Sequence, residues 1–138
     1  DLYPVVLERL ELGPALQQLA VDWQQAQGIR CQLQLGERLP SLPLASKAHL
    51  YRLVQEALTN VARHADASEV RIRLQRRGQG LRLLVLDNGQ GTALPLRPGI
   101  GLRSMRERSR SLGAELRLYS RPQAGWAVYL NIPLEARR

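Results

Sequence analysis

Glu56, Asn60 and His64 recur at every fourth position of one stretch, Leu50 to His64. At about 100° per residue a helix stacks such positions one turn apart along a single flank. The row would offer a carboxylate suited to proton abstraction, a neutral carboxamide oxygen of the kind Mg²⁺ takes beside phosphates and water, and an imidazole. Two glycine clusters follow downstream, Asp87-Asn88-Gly89-Gln90-Gly91 and Gly99-Ile100-Gly101-Leu102. Glycine allows backbone to come close where a side chain would intervene. A helix opening at Leu102 would present free N–H groups and a positive dipole end to an anion. A carboxylate partly desolvated at Asp87 would require a partner. Each feature also has an ordinary reading. The row can be the polar border of a surface helix, Asp87 can cap a turn through its own backbone, and the second glycine pair can be a flexible loop.

The elements that must position these groups follow from periodicity. Leu50, Leu53, Val54, Ala57, Leu58 and Val61 form the apolar face of an amphipathic helix. Before it, Gly13-Pro14 opens a helix with Leu16, Leu19, Ala20 and Trp23 on its buried stripe and Gly28 as its stop. Ile29 to Leu35 alternates as a strand with one wet face, and Pro40 and Pro43 mark a loop. After the central helix, Val70 to Leu74 reads as a half-buried strand, and Arg77-Gly78-Gln79-Gly80 has hairpin-turn chemistry. Leu81 to Leu86 becomes apolar on both faces, which places that strand centrally, with Asp87 directly after it. Thr92 to Pro98 holds two prolines and reads as a short lid loop. Leu102, Met105, Ser109 and Leu112 line a helix ending at Gly113, and strands over Glu115–Tyr119 and Trp126–Ile132 close the chain. Ala136-Arg137-Arg138 reads as a frayed tail.

A length of 138 residues, 44% hydrophobic and 23% charged, suits one globular domain with a sizeable core. No apolar run approaches the roughly 18 residues that span a bilayer. A cytoplasmic location is expected, and a membrane-bound parent protein is compatible with it. The single Cys31 excludes an internal disulfide and reads as a buried small hydrophobe. The net charge of +8 invites a nucleic-acid partner. Against that, the arginines are scattered and aromatics for base stacking are few, so a basic surface that favours an anionic nucleotide is the preferred account.

Taken in order, Glu56-Ala57-Leu58-Thr59-Asn60, Asp87-x-Gly89-x-Gly91 and Gly99-Ile100-Gly101-Leu102 resemble the N box and two glycine boxes of the GHKL ATPase superfamily. Within it they look most like the catalytic and ATP-binding domain of bacterial two-component sensor histidine kinases. Leu102-Arg103-Ser104-Met105-Arg106-Glu107-Arg108 with Leu112-Gly113 resembles the nitrate-sensor branch of these kinases. The resemblance implies an α/β sandwich of the Bergerat type, with a mixed, mostly antiparallel sheet and helices on one face. It implies a domain over 13–138, preceded over 1–12 by the remnant of a linker from the hairpin that carries the phosphoacceptor histidine.

The same resemblance assigns roles. Asp87 would accept the adenine amine, Asn60 would ligate Mg²⁺, and Glu56 would take the proton from an attacking histidine of the partner domain. Gly89 and Gly91 would line the purine, and Gly99, Gly101 and Leu102 the phosphates. Arg63 and His64 would reach phosphate oxygens, and Arg103 and Arg106 either do so across the lid or form a solvated helix face. The cofactors would be ATP and Mg²⁺. The partners would be the dimerisation and phosphoacceptor domain of the same kinase and a response regulator, with the isolated domain monomeric. Two departures stand out. Gln123-Ala124-Gly125-Trp126 puts an indole where the family's third glycine box has Thr, and neither His49 nor His64 lies in the phosphoacceptor pattern. Other GHKL members, an ATPase or an anti-sigma serine kinase, and a non-catalytic nucleotide-sensing module are the alternatives.

Overall fold

A computed structural model describes residues 4–91 and 102–134. Alternation along the chain builds a five-stranded sheet from β1 (Arg30–Leu35), β2 (Glu69–Arg77), β3 (Gly80–Asp87), β4 (Glu115–Ser120) and β5 (Trp126–Pro133), in the order β1-β2-β3-β5-β4. Only β1 and β2 run parallel; the other three pairings are antiparallel. The expected mixed, mostly antiparallel sheet is therefore present, with β3 at its centre as its two apolar faces require.

Among the described residues four α-helices accompany it: α1 (Val6–Arg9), α2 (Leu12–Gln27), α3 (Leu44–Asn60) and α4 (Leu102–Ser111). The stripes of the longer helices bury Leu16, Leu50, Leu53, Leu58 and Met105 against Ile72, Leu74, Leu83 and Leu130 of the sheet. Each such leucine contributes about 1.5–3 kcal/mol relative to exposure, so this single layer of contacts dominates the fold. The opposite sheet face carries the alternate residues, among them exposed Arg71, Arg73 and Arg117. There the Arg82 guanidinium lies 4.8 Å from the Tyr129 ring centroid, and the arginine and the ring cover one another.

Two boundaries of α3 differ from the sequence expectation. The helix begins at Leu44, right after Pro43, whose extended ψ of 152° sets the entry. Leu44-Ala45-Ser46-Lys47-Ala48 has no repeating stripe, but most of these residues favour helix once a neighbour propagates it. At the other end the α-helix stops at Asn60 and the chain continues as a π turn, Val61–Ala65, ended by Asp66 in the left-handed region at φ 50°. A π turn holds more residues than an α turn, so His64 is not stacked directly one α turn above Asn60.

The segment expected to be a linker docks on the domain. Leu7 is 1% exposed within the core. The Lys47 ammonium donates to the carbonyls of Leu7 and Leu10 at 2.8 and 3.1 Å, satisfying oxygens that the end of α1 leaves free. The lid over Thr92–Pro98, Gly99, Gly101 and the tail at Ala136-Arg137-Arg138 lie outside the described residues. No helix among the described residues is long and apolar enough to cross a membrane.

Candidate nucleotide site

Asp87 ends β3, the central strand, instead of following it. Half-buried there, its carboxyl is pushed above the ordinary aspartate value of 3.8 by desolvation; backbone N–H groups of Gly89 and Trp126 bond it and offset part of the rise. The Gly89 N–H donates to Oδ1 at 2.8 Å, a tight turn of the kind Asp supports. The turn reading and the binding reading are thus compatible, because the carboxylate that shapes the turn is also the partly desolvated one.

The glycines around Asp87 have a structural reason that their spacing did not reveal. A Cβ on Gly89 would stand 2.1 Å from the Ala65 carbonyl oxygen, and one on Gly91 (φ 61°) 2.1 Å from that of Arg121. The room a side chain would need is filled by other backbone. Three segments converge here: the π turn, residues 88–91 and residues 121–125. Gln90 knits them, its N–H donating to the Ala65 carbonyl at 2.7 Å and its side-chain amide to the His64 carbonyl at 2.8 Å, while its own carbonyl accepts from Gln123 N–H. Asn88 adds a clasp, accepting from the N–H groups of Ser68 and Glu69 at 3.0 Å each.

Gly125 belongs to this knot as well. It is buried at φ 76°, and a Cβ there would come within 2.1 Å of the Asp87 carbonyl oxygen and 3.3 Å of its Oδ1. The sequence singled out Trp126 for its indole, whereas what reaches Asp87 is the Trp126 backbone N–H. Gly125→Ala would have to adopt a left-handed conformation costing roughly 1–2 kcal/mol and also displace backbone. The expected result is a loss of at least about 2 kcal/mol in urea unfolding, together with weaker nucleotide binding in titration calorimetry.

The α3 row is only partly assembled. Glu56 and Asn60 are half-buried at the border of the apolar stripe, whereas Arg63 and His64 are exposed on the π turn. Among the described residues no three of His, Cys, Asp and Glu cluster as a metal site. Glu56 is engaged with α4: its Oε1 accepts from the Ser104 hydroxyl at 2.7 Å and from Arg108 Nε at 3.2 Å. Neither Ser104 nor Arg108 carried a role in the sequence reading. Their signal was their spacing of four, which shares a helix flank beside the buried Met105. Arg103, by contrast, is 93% exposed and pairs with Glu107 one turn on, and Arg106 is exposed; both lie on the solvated face of α4. Leu102, half-buried, is the first residue of that helix. His49, two turns before Glu56, has its imidazole pushed below the ordinary range by burial and then by the positive charge of Arg108.

The chain is thus a two-layer α/β fold with an aspartate ending its central strand and a Glu/Asn pair one turn apart on α3. The family model of histidine kinase-, DNA gyrase B-, and HSP90-like ATPases matches residues 45–136. The chain belongs to that family, and within it to the GHKL ATP-binding catalytic domains of histidine kinases. It is 33% identical over 135 residues to the sensor protein VraS of Staphylococcus saprophyticus, covering 96% of this chain and 38% of that protein. It is 34% identical over 143 residues to the sensor histidine kinase MctS of Rhizobium johnstonii, covering 100% of this chain and 31% of that protein. The chain thus spans about a third of the length of these relatives. Among solved structures, the histidine kinase domain of the blue-light-activated histidine kinase of Erythrobacter litoralis EL346 superposes with a TM-score of 0.75 at 28% identity, covering 91% of this chain and 62% of that one.

Proposed function

We propose that this chain binds ATP with magnesium and donates the γ-phosphoryl group to a histidine on the dimerisation domain of a parent sensor kinase, from which a response regulator is then phosphorylated. The observation that carries the reading is the half-buried Asp87 at the end of the central strand, its carboxyl raised by burial, in a chain whose α3 carries Glu56 and Asn60 one turn apart. In this reading residues 13–138 are the ATP-binding domain and 1–12 the connector from the hairpin, anchored through Leu7 and Lys47. The domain would lie in the cytoplasmic part of the parent.

Each residue then has one task. Asp87 accepts the exocyclic amine of adenine, and Asn60 lends its oxygen to the magnesium ion, which neutralises phosphate charge. The first N–H groups of α4, from Leu102, would meet phosphate oxygens, Gly99 and Gly101 would precede them in the chain, and Arg63 and His64 of the π turn would add positive charge or donors to the phosphates. In the transfer, a nitrogen of the incoming histidine bonds to the γ-phosphorus. The bond from that phosphorus to the β,γ-bridging oxygen breaks, with its electron pair leaving on ADP. The histidine N–H proton passes to Glu56. Such catalysis is mostly positioning and charge stabilisation.

Incubation with γ-labelled ATP tests this directly. The chain alone should bind ATP·Mg²⁺ yet neither label itself nor release phosphate above a trace. His64 is on the same helical segment as Asn60 and exposed, and His49 sits about 16 Å down the helix at 1.5 Å per residue, so neither can align for in-line attack. Adding a hairpin that carries the acceptor histidine should produce acid-labile label on the hairpin. Label on the isolated chain would refute the reading, and rapid phosphate release would replace it with an ATPase of the same family.

A further inference from the structure

The carboxylate read as the base is anchored from outside its own helix. Ser104 and Arg108 stand one turn apart on α4 and both donate to the same oxygen of Glu56, Oε1, at 2.7 and 3.2 Å. The side chains of Arg108 and Glu56 are only 18% and 25% exposed. Salt screens such a pair less than it does a surface pair, and a carboxylate so placed depends on its counter-charge. The other oxygen, Oε2, is enclosed and has no hydrogen-bond partner among the described residues.

We infer that Arg108, assisted by Ser104, is a positioning residue for Glu56: it occupies Oε1 and so reserves Oε2 for the proton of the incoming histidine. The inference rests on the reading of Glu56 given above. A carboxylate without the anchor would be free to turn both oxygens toward water or toward other arginines, and a misplacement of about 1 Å can cost 10²-fold in rate. Docking of the histidine domain has to uncover Oε2, whereas the Oε1 anchor can persist through the step. A docked imidazole N–H would also satisfy an acceptor that is otherwise orphaned, which favours that geometry over others. The anchor has a second consequence. Because α4 begins at Leu102, immediately after Gly99-Ile100-Gly101, the segment that would meet the phosphates is the same one that holds the base.

The test measures ATP affinity by calorimetry and single-turnover transfer to an added histidine hairpin, for Arg108→Ala, Arg108→Lys, Ser104→Ala, Glu56→Gln and the Arg108→Ala/Glu56→Gln pair. Arg108→Ala should slow transfer by about 10-fold or more while leaving ATP affinity unchanged. Arg108→Lys should recover much of the rate, Ser104→Ala should lose less than Arg108→Ala, and the double variant should be no slower than Glu56→Gln alone. Unchanged or faster transfer in Arg108→Ala overturns the inference. So does a loss that follows ATP affinity, or losses that add in the double variant. If Arg108→Ala unfolds, Arg108→Lys and Ser104→Ala decide, and wild-type transfer in both overturns it. Wild-type transfer by Glu56→Gln would instead remove the base reading itself.

Discussion

Glu56→Gln should leave ATP·Mg²⁺ binding nearly intact and lower transfer to the histidine domain by about 10²-fold or more, the scale of a lost general base. The substitution keeps size and shape, and a glutamine oxygen can still accept from Ser104 and Arg108, so α3 and α4 stay packed. What disappears is the ability to take a proton and the charge facing Arg108. Removing the negative charge from a half-buried pair weakens it, which predicts a modest fall in unfolding stability beside the large fall in rate. Single-turnover transfer in trans, with affinity measured separately, distinguishes the two. Transfer at the wild-type rate would demote Glu56 to a residue that ties α3 to α4.

Asp87→Asn should weaken ATP binding by roughly 2 kcal/mol or more, about 30-fold, because a partly desolvated charge-assisted acceptor is lost. GTP should bind poorly to the wild type, since its purine carries a carbonyl oxygen where the carboxylate requires a donor. Equal affinity for ATP and GTP would sink the assignment. The raised carboxyl of Asp87 adds a pH signature. Wild-type affinity should fall on acidification from above the ordinary aspartate value of 3.8, and Asp87→Asn, measured alongside to subtract titration of the phosphates, should lack that component.

Stability should move in the opposite sense. A carboxyl raised in the folded state binds its proton more tightly there than in the unfolded chain, so ionising it costs stability. That cost is absent below 3.8 and fully present above the folded value. Asp87→Asn should therefore melt no lower than wild type at neutral pH, with any advantage vanishing in acid. A variant that folds better and binds worse marks a residue kept for binding.

Local pattern alone determined most of the architecture. The alternating runs became β1 to β5, and the two-faced apolar run became the central β3. Periodicity suffices there because burial of one face is what selects both the element and its register. Other features were decided by contacts distant in sequence. Leu44–Lys47 is helical by extension of its neighbour, and the π turn after Asn60 displaces His64 from the row it forms on paper. The glycines near Asp87 are required by the carbonyls of Ala65 and Arg121 and by the approach of Gly125. The anchor on Glu56 comes from residues 48 and 52 positions away in the chain. A sequence lists which groups are available to a site; which of their atoms are already taken depends on backbone crossings and cross-element hydrogen bonds, and those exist only once the layers have packed.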